Sequence, residues 1–346
     1  MFELFQKKDS FGIELGLDYI RYAHIKKNKD AVRVLDVSRH KIPASVFGNG
    51  SMQDFSYIQK NIRRYLSRKF FKTPARISLP FEELSFFVLS IPEVSKDEQE
   101  EYIMRALQET GRFSVTSDEV LDTLVLSRHE NQTMDMRIVT KPKDTLVEAT
   151  SFFKFLRKRN IHIERSGTAV VHMKTPSHFQ ETFAHVHFSD TYVSCLIVDK
   201  GKIVLHRNIP FSSSFFMKEV QKRVHESGSS AHTYMIFCGV YGSLVKDFCL
   251  KALQSLGKNI SFLFDSFDTQ KHGFIKKVTM SGLLSSYRGV SDVLSEFVRV
   301  PCSWVVESKD SALYVLQTQV VHDKKSEVME YLAPIALGND ALTLSE

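Results

Sequence analysis

Near its start the chain alternates apolar with other side chains. Phe11, Ile13, Leu15 and Leu17 share one parity, and Tyr22, His24, Val32, Val34 and Leu35 continue the strand character. Asn28-Lys29-Asp30 between them has hairpin-turn chemistry. The period then changes. Phe55, Ile58, Ile62, Tyr65 and Leu66 recur at three- and four-residue spacing, which predicts an amphipathic helix over 54–69. Strands are predicted at 75–80 and 85–92. Ser95 with Glu98 makes a capping box, Gly111 stops the helix, and Tyr102, Ile103, Ala106 and Leu107 form its apolar stripe. Two strands ("EVLDTLVLS" and "TMDMRIVTK"), a helix over 144–159 and a strand at "IHIERSG" complete an α-β-β-α-β unit at 95–165.

A second meander follows. "TFAHVHF" and "YVSCLIVD" are predicted strands, Lys200-Gly201 a turn, and "KIVLHRNIP" a third strand. Helices are predicted at 214–227, 243–256 and 287–298. Strands are predicted at "TYMIFCG", 260–264 and "KVTMSG", and a last helix at "SEVMEYLAPIALGNDAL". Pairing Glu14 with His187 and Gly16 with Ser189 gives one offset of 173 residues. A duplicated meander followed by α/β elements predicts a two-lobed α/β protein, with mixed sheets, helices on both faces and a cleft between the lobes.

Composition narrows this picture only a little. The 346 residues suit two domains, and 43% hydrophobic with 25% charged residues is ordinary globular content. The opening "MFELFQKKDSF" lacks the apolar core of a secretory signal, and no apolar run is long enough to span a membrane, so a cytoplasmic protein is expected. Cys195, Cys238, Cys249 and Cys302 match no zinc or disulfide spacing and are expected to be buried free thiols. Basic concentrations at 60–72 and 154–159 read as solvated helix faces, with phosphate or anionic lipid as the sharper alternative. His185 and His187 share one side of a strand, as metal ligands can, but no third ligand stands at a fixed short spacing and no metal site is expected. Ser189 or Ser194 with a histidine and Asp190 lacks the GxSxG context of a hydrolase.

Several stretches together resemble the PilM-like family of type IV pilus assembly proteins, within the actin-like ATPase superfamily and related to FtsA. They are the opening "LFQKKDSFGIELGLDYIRYAHI", "LSIPEVSKDEQEEYIMRALQ", "IVDKGKIVLHRNIPFSSS", "TMSGLLSSYRGVSDVLSEFVRVP" and "LAPIALGNDAL". The resemblance spans nearly the whole chain. It implies an actin-like (ribonuclease H-like) fold. Residues 1–94 would be the first lobe, completed by 166–180 and a C-terminal helix at 326–346. Residues 95–165 would be an inserted subdomain, and 181–325 the second lobe, with 214–275 as its smaller part.

In that superfamily two glycine-flanked hairpins cradle nucleotide phosphates and a strand-end acid holds Mg²⁺. The resemblance places Gly12, Glu14, Gly16 and Asp18 in the first hairpin, Ser189, Asp190 and Thr191 in the second, and Ser281 and Gly282 in the adenosine motif. All three elements depart from the pattern. Glu14 replaces aspartate, and Leu17 and Asp18 replace hydroxyl residues. His187 and Ser189 replace acid and glycine, and Leu283 replaces a glycine. Asp18 and Asp190 would also repel a phosphate, by about 1 kcal/mol at 4 Å in water and about 4 at an effective dielectric of 20. The implied function is therefore a non-catalytic scaffold with no cofactor, and an ATP·Mg²⁺-binding ATPase or filament former is the alternative.

The implied partner is the cytoplasmic tail of a PilN-like bitopic membrane protein, bound as an extended peptide between first lobe and insertion. Other pilus platform components and self-association are further candidates, and no nucleic acid is expected. Phe86, Phe87, Leu89 and Arg137 are the candidate groove residues. Localisation would be cytoplasmic, at the inner face of the membrane through partners. A membrane tether of the FtsA kind is not expected, because "LGNDALTLSE" lacks a basic apolar face.

Overall fold

The computed structural model describes residues 9–28, 31–48, 51–52, 54–65, 73–78, 85–109, 119–142, 161–163, 166–172, 181–225, 230–267, 269, 273–304 and 333–336. The alternating opening folds as β1 (Asp9–Leu15), β2 (Tyr19–Asn28) and β3 (Ala31–Lys41), an antiparallel meander. A two-residue ladder, β4 (Phe47–Gly48) with β5 (Ser51–Met52), leads to helix α1 (Phe55–Tyr65), which buries Ile58 and Ile62. β6 (Ala75–Ser78) then pairs with β1 in parallel.

Next come β7 (Ser85–Pro92), α2 (Lys96–Glu109), β8 (Glu119–Arg128), β9 (Thr133–Pro142), β10 (Ile161–Ile163) and α3 (Ser166–His172). The second half contains β11 (Phe183–Phe188), β12 (Val193–Asp199) and β13 (Lys202–Ile209). Helices α4 (Ser213–Val224), α5 (Ala231–Phe237) and α6 (Lys246–Asp265) follow, then β14 (Val278–Gly282), α7 (Val290–Val298) and β15 (Cys302–Trp304).

The duplication is visible in the sheets. One has the order β10-β6-β1-β2-β3 and the other β15-β14-β11-β12-β13. In both, an antiparallel three-strand meander continues through its first strand into two parallel strands. The 173-residue offset holds at the hairpins. Gly16 N–H donates to the Tyr19 carbonyl at 2.9 Å, and Ser189 N–H donates to the Tyr192 carbonyl at 3.0 Å. Lys200 and Gly201 turn the next hairpin with φ of 47° and 79°, as a tight two-residue turn requires.

Sheet membership redraws the insertion. β7, read as a first-lobe strand, instead pairs with β9 in a three-stranded sheet of order β7-β9-β8, while β10 pairs with β6 in the first-lobe sheet. Ile91, Met134, Met136 and Ile138 form one buried face with Ile103 and Leu107 of α2. The capping box is present, with the Glu98 carboxylate accepting from Ser95 N–H at 3.2 Å and from its hydroxyl at 2.7 Å.

Two predicted strands are helical. "TYMIFCG" falls largely in α5, where Ser230 accepts from Thr233 N–H as the N-cap and Ala231 and Met235 are buried four apart. Residues 260–264 are the last turns of α6, because Cys249, Leu253, Leu256 and Ile260 continue one buried helical stripe into the second-lobe core. Packing overrides the strand propensity of those aromatic and β-branched residues. The helix read over 144–159 lies outside the described residues, as does most of the C-terminal one, of which 333–336 is helical.

Candidate functional site

The hairpins β1–β2 and β11–β12 meet turn to turn. β1 is apolar and buried through Leu15, so Glu14 sits at the end of a buried strand, and the hairpin register sets Arg21 of β2 directly opposite it. In the second hairpin, Asp190 is fixed by its backbone. Its carbonyl accepts from the Ser212 hydroxyl at 2.7 Å and from Ser214 N–H at 3.1 Å, and Ser212 is also the N-cap of α4. This aims the Asp190 side chain at the first hairpin. Arg21 Nη2 donates to Asp190 Oδ1 at 3.1 Å, and Nη1 to Glu14 Oε2 at 3.5 Å. The three side chains are at most 10% exposed. The Arg21 guanidinium also lies 5.7 Å from the Tyr19 ring centre, within cation–π range. The other Asp190 oxygen packs on Gly16, where a Cβ would come within 2.0 Å of Oδ2.

Behind Glu14 runs a hydrogen-bonded row across β11 and β14. His187 Nδ1 lies 2.8 Å from Ser281 Oγ, His185 Nε2 lies 2.9 Å from the same oxygen, and His185 Nδ1 lies 3.0 Å from Thr279 Oγ1. Thr279 spends its one proton on the Ala184 carbonyl at 3.3 Å, so His185 Nδ1 must donate to Thr279. In a neutral His185, Nε2 then accepts from Ser281, and His187 Nδ1 donates to Ser281. His187 Nε2 thereby faces Glu14 Oε1 at 3.7 Å, beyond hydrogen-bond reach. Both histidines, read as possible ligands from their spacing, have nitrogens engaged by strand hydroxyls.

The other expected nucleotide residues also lie at the hairpins. Gly12 is buried within β1. The half-buried Asp18 faces the exposed Lys218 of α4 at 3.5 Å. The Ser189 hydroxyl donates to the Tyr192 carbonyl at 2.7 Å, and Thr191 lines a cavity with Gly16 and Leu17. Ser281 and Gly282 end β14, opposite His187 and Phe188. Gly282 has φ of +88°, and a Cβ there would lie 2.1 Å from the Phe188 carbonyl oxygen, so the approach of β14 to β11 requires glycine. Sequence reading placed these residues but missed Arg21, although its signal is present: a cation near the start of a strand, in register with the acid across a tight turn.

As they stand, these residues do not fit a triphosphate with Mg²⁺. The acid that would hold the metal is paired with an internal guanidinium. Asp190 covers the backbone face that Gly16 would offer to phosphate. Among the described residues, cavities lined by both hairpins measure about 10 Å³ and about 20 Å³, each the room for about one water.

The four expected groove residues share one sheet but not one face. Phe86 and Phe87 of β7 stand opposite Val139 and Ile138 of β9, with side chains outside the described residues. Leu89 stands opposite Met136 and packs into the core under α2. Arg137 stands opposite Val88, on the other face. Leu89 is thus half-buried against that core, where the two-residue period of a strand puts it. Arg137 Nε is buried without a hydrogen-bond partner.

No family model matches the sequence, and no curated protein matches it either. Solved structures do match in fold. The chain has the mixed α/β, two-lobed fold of the actin-like proteins. It superposes on a PilM–PilN type IV pilus biogenesis complex with a TM-score of 0.73 at 12% identity, covering 96% of this chain and 98% of that one. Ethanolamine utilization protein EutJ from Carboxydothermus hydrogenoformans gives 0.52 at 10% identity, covering 96% and 89%. MreB5 of Spiroplasma citri bound to ADP gives 0.51 at 12%, covering 92% and 98%.

Proposed function

We propose that this chain is a non-catalytic cytoplasmic scaffold of a type IV pilus or related inner-membrane assembly platform. Its partner is the short cytoplasmic tail of a PilN-like bitopic membrane protein. The observation that carries this reading is the end-to-end likeness to PilM in its complex with PilN, at a TM-score well above those of EutJ and MreB5. The ion pairs between the hairpins support a chain that works without ATP. Among the described residues no helix is long and apolar enough to cross a membrane, which suits recruitment to the membrane by a partner.

The tail lies as an extended segment between the first lobe and the β7-β9-β8 sheet, where main-chain hydrogen bonds supply affinity and alternate side chains enter pockets. Arg137, with its unpaired buried Nε, is the contact on this sheet that the proposal favours. The test is co-expression with the cytoplasmic tail of a single-pass membrane protein encoded beside this gene. Co-purification of the tail, weakened about tenfold or more by Arg137→Glu, is the expected result. A tail that does not bind overturns the reading.

A further inference from the structure

We infer that Arg21 is a built-in cation that latches the two lobes at their hairpins, in the place where the resemblance implies nucleotide phosphates. The inference rests on the hairpin geometry and stands apart from the choice of partner.

Three observations converge. First, the two carboxylates come from different lobes, 176 positions apart in sequence, and one guanidinium meets both. Arg21 is therefore a cross-lobe tie and not only a cross-strand pair. Second, all three groups are almost fully withdrawn from water. A buried carboxylate without its counter-ion is strongly unfavourable, so opening the hairpins must either rehydrate Asp190 or leave it buried without Arg21. Third, the contact is steric as well as ionic. Gly16 has no side chain, and Asp190 Oδ2 occupies the place of its Cβ. A phosphate approaching Gly16 would have to displace that carboxylate and would meet its charge.

Both ends of the tie are held in position. The hairpin register sets Arg21 beside Glu14, and the Tyr19 ring lies within cation–π range of the guanidinium. Asp190 is held by Ser212 and Ser214 at the start of α4. Opening the latch would therefore pull on α4, the first helix of the smaller second-lobe part. The permanent cation closes the cleft irrespective of any ligand, which is the property a constitutive scaffold needs.

Hydrogen exchange on the whole protein tests this. Arg21→Met keeps the length and removes the charge. The expected result is that segments 11–22 and 183–193 exchange at least about tenfold faster while α6 is unchanged, because a local contact has been lost. The triple variant Glu14→Gln/Arg21→Met/Asp190→Asn removes all three charges of the contact and carries the test if the single variant does not fold. It too should free both hairpin segments. Exchange within about twofold of wild type in the triple variant, or equal acceleration throughout α6, would overturn the latch. So would slowing of the wild-type hairpin segments by millimolar ATP·Mg²⁺.

Discussion

Single residues decide what the cleft can do, and Gly16 is the sharpest case. A methyl group there collides with Asp190, so Gly16→Ala should part the hairpins and lower stability by about 1–3 kcal/mol, read as a lower urea midpoint at unchanged slope. The cysteines depart from their uniform expectation. Cys195 and Cys249 are buried, with desolvation pushing each thiol to about 12. Burial pushes Cys302 to about 11, and Cys238 is exposed. A thiol-specific reagent at neutral pH should therefore modify Cys238 first in the native protein, the half-buried Cys302 more slowly, and Cys195 and Cys249 only after unfolding. His24 stacks on Phe11 with ring centres 4.5 Å apart, and burial holds its pKa below the ordinary 6.5 despite Asp9 and Asp36. Below that value the unfolded chain takes up a proton that the folded one resists, so stability falls as pH drops below about 6.5. His24→Phe should flatten that limb of a urea-midpoint titration.

At the scale of elements, most of the fold was legible. Alternation marked the first meander, and spacing marked α1 and α2. The failures share a cause. Residues 231–237 and 260–264 are rich in aromatic and β-branched side chains, and only their neighbours in space reveal that helical faces are buried there. β7 was recognised as a strand but placed in the wrong sheet, because parity tells which face is apolar and not which partner covers it. Likewise the hairpins were found by their repeat, while the Asp190–Arg21 contact depends on how two lobes meet, which no local pattern encodes. Gly282 shows how tightly the elements are fitted. Gly282→Ala forces a side chain into the left-handed region and against Phe188, and should lower stability by about 1–3 kcal/mol or more.

Across the whole molecule, duplication, likeness in fold to PilM and the charged seam between lobes agree with the proposed reading: an actin-like body kept for its shape, closed by its own charges, and holding a membrane protein's tail. The offset that matches Glu14 to His187 and Gly16 to Ser189 now has a physical meaning. The glycine retained in one hairpin makes room for the acid of the other. Thermal unfolding of the wild-type protein with and without millimolar ATP·Mg²⁺ tests this most directly. The account predicts coincident curves. A nucleotide present at a hundredfold excess over its Kd would add about 2.7 kcal/mol, so a clear rise in Tm would contradict it.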